Sequence, residues 1–402
     1  MGLTPHSVEV AETGVNRRSY RILIVGAGLG GLCAASALAQ VGAQVDVIEI
    51  KSETTVPGVG FGLRTNALRA LREIGLYDQA LAIGFASPTL TYYDRHGDHV
   101  VELPFGRQVD GMPNNVLLPR LGFLEIATTR ALALGCTLRM STTITHLEQD
   151  ADGVSVTFSD GTSGRYDVVI GYDGIKSQVR REFFGQQYDP VPSGGVAWRV
   201  ALPAPEGLTS AIFCQGLGGK VAFAPLAGGM MYMLVTHFQP GRPRYDPAEF
   251  AQIMYERARE IMGDSDFMSD AIEQVRTSDT VAYTLLDTVM VPYPWFRGRV
   301  MIMGDAAHSM TPYLGSGAAM AIEDGVVFAQ LLDSDDTLYD VQQKFMARRY
   351  PRVKTVWDLS LSLMHEEFDS ATPEALERRL AYLVSEEPAA NDYVHRVLET
   401  EY

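Results

Sequence analysis

The chain of 402 residues has little cysteine: Cys33, Cys136 and Cys214 are odd in number and show no paired spacing. It therefore offers neither a disulfide framework nor a zinc knuckle. No apolar run reaches the roughly 18 to 20 residues that span a bilayer. Residues 1–16 are polar and acidic, which is not the basic-then-apolar pattern of a secretory signal. The expected location is the cytoplasm, away from membranes. Basic charge is also short, with 33 Lys and Arg against 49 Asp and Glu and a net charge of −16. Non-specific nucleic-acid binding draws on basic patches, so nucleic acid is excluded as a partner. An anionic small molecule is not, because local charge decides that. The chain has no internal repeat and no low-complexity tract.

What is present is an ordinary globular composition, 46% hydrophobic and 20% charged. The length exceeds one typical domain. Tyr20 to Val25 reads as a buried strand, Gly26 to Gly31 as a turn, Leu32 to Val41 as a helix and Val45 to Ile50 as a second strand, which together form a βαβ unit. Helices are expected over Thr65–Ile74 and Leu121–Leu134, closed by Gly75 and Gly135. Leu90–Arg95 and Val100–Leu103 read as a hairpin. From Pro190 to Tyr283 strands alternate with glycine-rich breaks, and after Ala318 the pattern is mostly helical. The fold expected is α/β, with a Rossmann-like domain, an inserted antiparallel-sheet domain and a helical C-terminus. The expected partition is a flexible lead over 1–19, a discontinuous cofactor domain over 20–85, 105–189 and 284–335, a substrate sheet over 86–104 and 190–283, and C-terminal helices over 336–402.

Three motifs carry chemistry. Gly26-Ala27-Gly28-Leu29-Gly30-Gly31 fits GxGxxG between a strand and a helix. Gly26 allows the tight turn, Gly28 lets backbone approach a pyrophosphate, and Gly31 lets helix and strand pack closely. The backbone N–H groups of Leu29 and Gly30 open the helix toward the phosphates. Glu49 ends the second strand and is placed to accept from ribose hydroxyls. A glycine-rich turn in a cofactor-free domain is the bland alternative, and either NAD or FAD satisfies the fingerprint. The second motif, Arg299 to Gly325, combines a buried strand, the Gly304-Asp305 turn, Pro312, and a loop of small residues, Gly315, Gly317 and Ala318. An NAD-only domain has no need of a second acidic turn so far downstream. Asp305 is expected to accept from a ribityl chain, and the loop N–H groups to stabilise charge on a reduced flavin ring. The third, Gly171 to Arg180, is a turn with Asp173 and Gly174, anchored by Ser177 and Arg180.

The three motifs in this order, over Arg21 to about Arg352, resemble the group A, p-hydroxybenzoate hydroxylase-like FAD-dependent aromatic monooxygenases. Length places the chain nearest the salicylate, 6-hydroxynicotinate and urate hydroxylase branch. The resemblance implies FAD as cofactor and NADH or NADPH as co-substrate. It implies dioxygen added as a flavin hydroperoxide and transferred to a small aromatic or N-heteroaromatic ring. It also implies roles for Arg120 and, more weakly, Arg64 near the FAD, and for Asp173 toward FAD and NAD(P)H. On the sheet it points to Lys220 and Tyr232 beside the substrate, with Arg199 and His237 as further candidates. Lys220 stands where the urate branch holds an arginine, which puts urate itself in doubt, since a point charge replaces a fork. The rival readings are a tailoring hydroxylase or epoxidase of a larger natural product, a flavin reductase without oxygen insertion, and a FAD-free escort protein like the Rab escort and GDP dissociation inhibitor proteins. A monomer or homodimer is expected.

Overall fold

The structure is a computed structural model that describes residues 19–53, 59–263, 265–400 and 402. The expected N-terminal lead lies, apart from Ser19, outside the described residues. A six-stranded sheet runs in the order Phe296–Arg297, Val300–Ile302, Val168–Gly171, Arg21–Val25, Gln44–Ile48, Thr137–Arg139. Its inner strands pair in parallel and only the Phe296 edge strand is antiparallel. Parallel strands buried on both faces need continuous apolar runs; Ile22, Leu23, Ile24, Val168, Val169 and Ile170 supply them, all fully buried.

The helix Leu29–Gln40 packs on this sheet and against the helix Gly317–Leu332. A Cβ on Gly325 would come 2.6 Å from Ala34, so this glycine permits the close crossing that brings the first and second motifs together. The two predicted helices near residues 65 and 121 form as Thr65–Glu73 and Arg120–Ala133.

A seven-stranded sheet has the order Ala282–Leu285, Gly195–Pro203, Met230–Phe238, Gly219–Leu226, Ala211–Gly216, Thr89–Tyr93, His99–Pro104. The hairpin expected near residue 90 therefore joins the strands that follow Pro190. One pair, Ala211–Gly216 with Thr89–Tyr93, runs parallel; the sheet is mixed where a wholly antiparallel one was expected, because the hairpin enters from an earlier part of the chain by a long crossover. Its outer face packs Val196, Trp198, Val200, Val221, Phe223 and Met233 against the helix Phe250–Met262. A small sheet of Gly60–Arg64, Asn115–Pro119 and Phe85–Ala86 links the two larger ones; sequence reasoning missed it, since two glycines interrupt the first strand and the other two are only five and two residues long. Three C-terminal helices, Leu338–Phe368, Pro373–Ser385 and Glu387–Glu399, close the molecule. Among the described residues no helix is long and apolar enough to cross a membrane.

Candidate active site

Two turns converge at the C-terminal edge of the parallel sheet, where ligands of such sheets bind. In the first, Gly26 has φ +111° and donates its N–H to Ile48 O at 2.8 Å. A Cβ there would lie 2.4 Å from Tyr172 O, and one on Gly31 would lie 2.1 Å from Gly26 O. Those two glycines are required by the protein itself. Gly28 is different: its φ is −73°, and a Cβ would meet nothing within 4 Å. Neither backbone nor packing explains a glycine there, whereas close approach by a ligand does. Glu49 accepts from Ala27 N–H and Lys51 N–H, each at 3.0 Å, one per carboxylate oxygen. Lone pairs remain on both oxygens for further donors.

The second turn is held from behind by a buried ionic network. Asp324 accepts the Gly304 N–H at 3.0 Å and contacts His308 Nε2 at 2.7 Å. Arg349 Nε donates to Asp324 at 2.8 Å, and Arg349, Arg352 and Asn66 donate to Glu323 at 2.5, 2.9 and 2.6 Å. The neighbouring cations keep both carboxylates below their usual range against the opposing effect of burial. His308 is thus a structural partner of the turn. Asp305 itself stays open to solvent at the bottom of a cleft whose walls push its carboxyl upward, an effect opposed by His308 and Arg120.

The helix that begins at Gly317 has no side-chain cap, and Ser316 Oγ turns away to donate to Leu314 O at 3.0 Å. The helix that begins at Leu29 is uncapped in the same way. Both motifs therefore present free N–H groups. Pro312, Gly317 and Ala318 are half-buried and Gly315 is exposed, so the loop borders the cleft. Uncapped helix ends, an unexplained Gly28 and a cleft-facing carboxylate fit a dinucleotide with a polar linker.

Asp173 accepts from Ser177 Oγ at 2.5 Å and from Val179 N–H at 3.0 Å. Both its oxygens serve its own turn. Arg180 ties that turn to the second motif by donating to Ala306 O at 2.9 Å. Arg120 has a buried Nε without a partner and lies within electrostatic reach of Asp305, Arg199 and Tyr232. Arg64 sits elsewhere. Its guanidinium lies over Phe105, 5.4 Å from the ring centroid, near Tyr92 and His395, and one buried nitrogen has no partner.

The inner face of the seven-stranded sheet has a clear pattern. Along Gly195–Pro203 the outward residues are large and the inward ones are Ala197, Arg199 and Ala201; along Gly219–Leu226 the inward ones are Lys220, Ala222 and Ala224. Alanine on one face hollows the sheet. Tyr232 faces the same side, paired in register with Ala201 and Ala224, and its hydroxyl accepts from Arg199 Nε at 3.0 Å. Lys220 pairs with Glu367 of the long C-terminal helix at 2.9 Å, both nearly fully buried. Its ammonium is pulled below its ordinary value by burial, which Glu367 partly offsets. His237 lies on the other face, accepting from Trp198 Nε1 at 3.2 Å. Sequence reasoning missed Glu367, Tyr313 and Arg349. Glu367 and Arg349 stand in no local motif, and Tyr313 lies within the second motif, but each acts through partners from elements far apart in the chain.

This arrangement defines a flavin-binding α/β protein with a hollow sheet facing the cofactor cleft. Residues 19–334 match the family model described as FAD binding domain, and the chain belongs to that family, whose members include FAD-dependent monooxygenases. It is 31% identical to the 6-hydroxynicotinate 3-monooxygenase of Pseudomonas fluorescens, over 78% of this chain and 83% of the relative. It is 30% identical to the 2-heptyl-3-hydroxy-4(1H)-quinolone synthase of Pseudomonas aeruginosa strain UCBPP-PA14, over 81% and 85%. In fold it is similar to HpxO of Klebsiella pneumoniae complexed with FAD and uric acid, with a TM-score of 0.84, 23% identity and coverage of 94% and 97%.

Proposed function

We propose that the chain hydroxylates a small aromatic or N-heteroaromatic compound, using FAD, dioxygen and NADH or NADPH, in the cytoplasm. The observation that carries this reading is the alanine-hollowed sheet face with Arg199 and Tyr232 directed toward the same cleft as Asp305 and Arg120. FAD supplies the redox and oxygen chemistry when bound. The protein's part is to bind, orient and dehydrate. Gly28, Leu29, Gly30, Glu49 and Arg120 hold the nucleotide side, and Asp305 accepts from the polar linker. Gly315, Gly317 and Ala318 would offer N–H groups to the ring, and Pro312 fixes the direction of their loop. Residues 86–104 and 190–283 serve as the substrate wall, and residues 336–402 close it.

Tyr232 accepts from Arg199, so its own proton is free for a substrate oxygen or nitrogen. Donation from a guanidinium strengthens that second bond. Lys220 is committed to Glu367, which leaves Arg199 as the cationic hold on the sheet. A bound ring loses its water and gains one ordered donor, and water is kept from the reacting centre.

The test is direct. The purified protein should be yellow and should oxidise NAD(P)H faster with a panel of hydroxypyridines, hydroxybenzoates and purines, including 6-hydroxynicotinate, 3-hydroxybenzoate and urate. One hydroxylated product should form per NAD(P)H consumed. A colourless protein that takes up no added FAD sinks the reading. Oxidation of NAD(P)H with hydrogen peroxide as the sole product for every compound makes it a reductase or oxidase instead.

A further inference from the structure

Glu367 is a buried carboxylate with three side-chain donors from three separate elements. Lys220 Nζ on the sheet lies at 2.9 Å, Thr236 Oγ1 on the adjacent strand at 2.9 Å, and Tyr313 OH at 2.5 Å. Tyr313 follows Pro312 in the loop that borders the cofactor cleft and is half-buried there. The Lys220 ammonium also stands 3.7 Å above the Tyr313 ring centroid. Such a cluster is more than packing needs. A buried ion pair is on average no more stabilising than apolar residues of the same size, and the walls around this one, Ala197, Ala222, Leu234, Met364 and Phe368, are apolar.

Tyr313 donates its only proton to Glu367, so its oxygen can only accept from anything else. Burial, and then the adjacent carboxylate, push its phenol well above the ordinary value. It therefore keeps its proton at neutral pH and acts by passing one on as it receives one. Tyr232 has the opposite character, accepting from Arg199 and donating outward. The cleft thus offers a donor at one place on its wall and an acceptor at another.

We propose that Tyr313 and Glu367 form a proton path that removes the O–H or N–H proton of the substrate ring during oxygen transfer. This rests on the hydroxylase reading above. The bound cofactor, reduced by NAD(P)H and charged with dioxygen, would supply the oxygen and keep the electron pair of the O–O bond that breaks; the ring provides the pair for the new C–O bond, and its O–H becomes that of a protonated carbonyl. That O–H bond breaks and its electron pair completes the C=O. The proton goes to Tyr313, whose own proton goes to Glu367. Return to an aromatic ring releases the carbon-bound proton and restores the hydroxyl, and Glu367 gives its proton back along the same path. Lys220 stays cationic throughout and faces one neutralised carboxyl and one developing carbonyl. Neutralising Glu367 leaves the Lys220 ammonium unpaired while the proton is held, and the face of the Tyr313 ring, 3.7 Å away, is what steadies that charge until the proton returns. The other charged and titratable groups near Glu367 are Tyr92 from the hairpin strand, Glu366 on its own helix, Arg379, and Glu387 from the last helix. Arg379 pairs with both Glu366 and Glu387, at 3.2 and 3.6 Å, so those carboxylates are already engaged.

The experiment uses the FAD-loaded full chain and, as probe, whichever of 6-hydroxynicotinate, 3-hydroxybenzoate and urate gives the highest coupled turnover. Tyr313→Phe keeps the Lys220–Glu367 pair and cuts the path; Glu367→Gln keeps a hydrogen-bonding group and removes the acceptor. Both variants should retain FAD. Their coupled hydroxylation at pH 7 should fall about 10²- to 10³-fold. It should then climb about tenfold per pH unit toward the ionisation of the free probe, since a substrate that arrives ionised needs no base. Glu387→Gln should follow the parent profile. A profile in Tyr313→Phe and Glu367→Gln that runs parallel to the parent's overturns the proposal. So does loss of FAD in both, which makes the cluster a structural tie. If the parent hydroxylates none of the probes while holding FAD, the function reading itself has failed and the proposal goes with it.

Discussion

Two buried charge clusters hang from one helix, Leu338–Phe368, about five turns apart, and they are built differently. Around Arg349, every carboxylate is saturated by several partners: Glu323 by Arg349, Arg352 and Asn66, and Asp324 by Arg349, His308 and the Gly304 N–H. Both carboxylates and Arg349 are sealed from solvent, and the network fixes a backbone turn. Around Glu367, three donors meet one carboxylate beside a hollow sheet, and one donor, Tyr313, borders the cleft. The first cluster holds geometry for the cofactor. The second is placed to take part in chemistry. Saturation marks the one, and an edge left open to a ligand marks the other.

Breaking the saturated cluster should cost most. Arg349→Met strands two buried carboxylates without their main counter-ion, a loss of about 3 to 5 kcal/mol. Urea unfolding should show it, together with reduced FAD content as the Gly304 turn loosens. A change under about 1 kcal/mol would mean that the network does not stabilise the fold as its geometry implies. The equivalent cut at the other cluster, Tyr313→Phe, should leave stability nearly unchanged, and this contrast sharpens the comparison most.

Acid should act through the last helix. His395, on the last helix and only 4% exposed, is held down to about 4 by burial and then by Arg64 and Arg107. Its folded value lies below the 6.5 expected of the unfolded chain, so unfolded molecules bind the extra proton. Stability therefore falls as pH drops below about 6.5 and levels off under about 4, a total near 3 kcal/mol. Unfolding midpoints at pH 7 and pH 4.5 should differ less in His395→Leu than in the parent. Equal differences in the two proteins would remove His395 as the cause.

Asp305→Ala should weaken FAD binding by about 10- to 100-fold, the worth of a hydrogen bond to a charged acceptor. The turn itself should persist, because Gly304 is held by Asp324. Titration of the apoprotein with FAD measures this, and an unchanged Kd would take the carboxylate out of the cofactor site.

The cofactor half was legible in the sequence because it is written in backbone. Gly26, Gly31 and the Gly304-Asp305 turn answer to steric demands that few residues meet, so their spacing speaks without any knowledge of neighbours. The parallel strands announced themselves as apolar runs for the same reason. The substrate half is written in side chains from distant elements. Lys220 and Glu367 are 147 residues apart, and nothing local in either segment predicts the pair. Arg64 shows the same limit: the family resemblance implied a place near the cofactor, while tertiary packing brings it to Phe105 and the last helix. The alternation of Trp198 and Val200 with Ala197 and Ala201 was present in the sequence. It becomes a hollow only once the helix Phe250–Met262 is known to cover the outer face.

That hollow yields the smallest effect and the most local one. Ala201 is half-buried on the inner face, opposite Tyr232 in register. Ala201→Leu keeps the strand and its outward neighbours but extends a branched side chain into the space beside the Tyr232 ring. A misfit of this size in a binding pocket is worth about 1 to 3 kcal/mol. The expected result is a KM raised about tenfold or more, with FAD content, unfolding midpoint and the rate of flavin reduction without substrate all unchanged. Because the change alters shape and no charge, the pH profile should also stay that of the parent, unlike the variants at Tyr313 and Glu367. A variant with the parent's KM would show that the ring binds away from this strand, and would move the substrate toward Phe213 and the hairpin edge of the sheet.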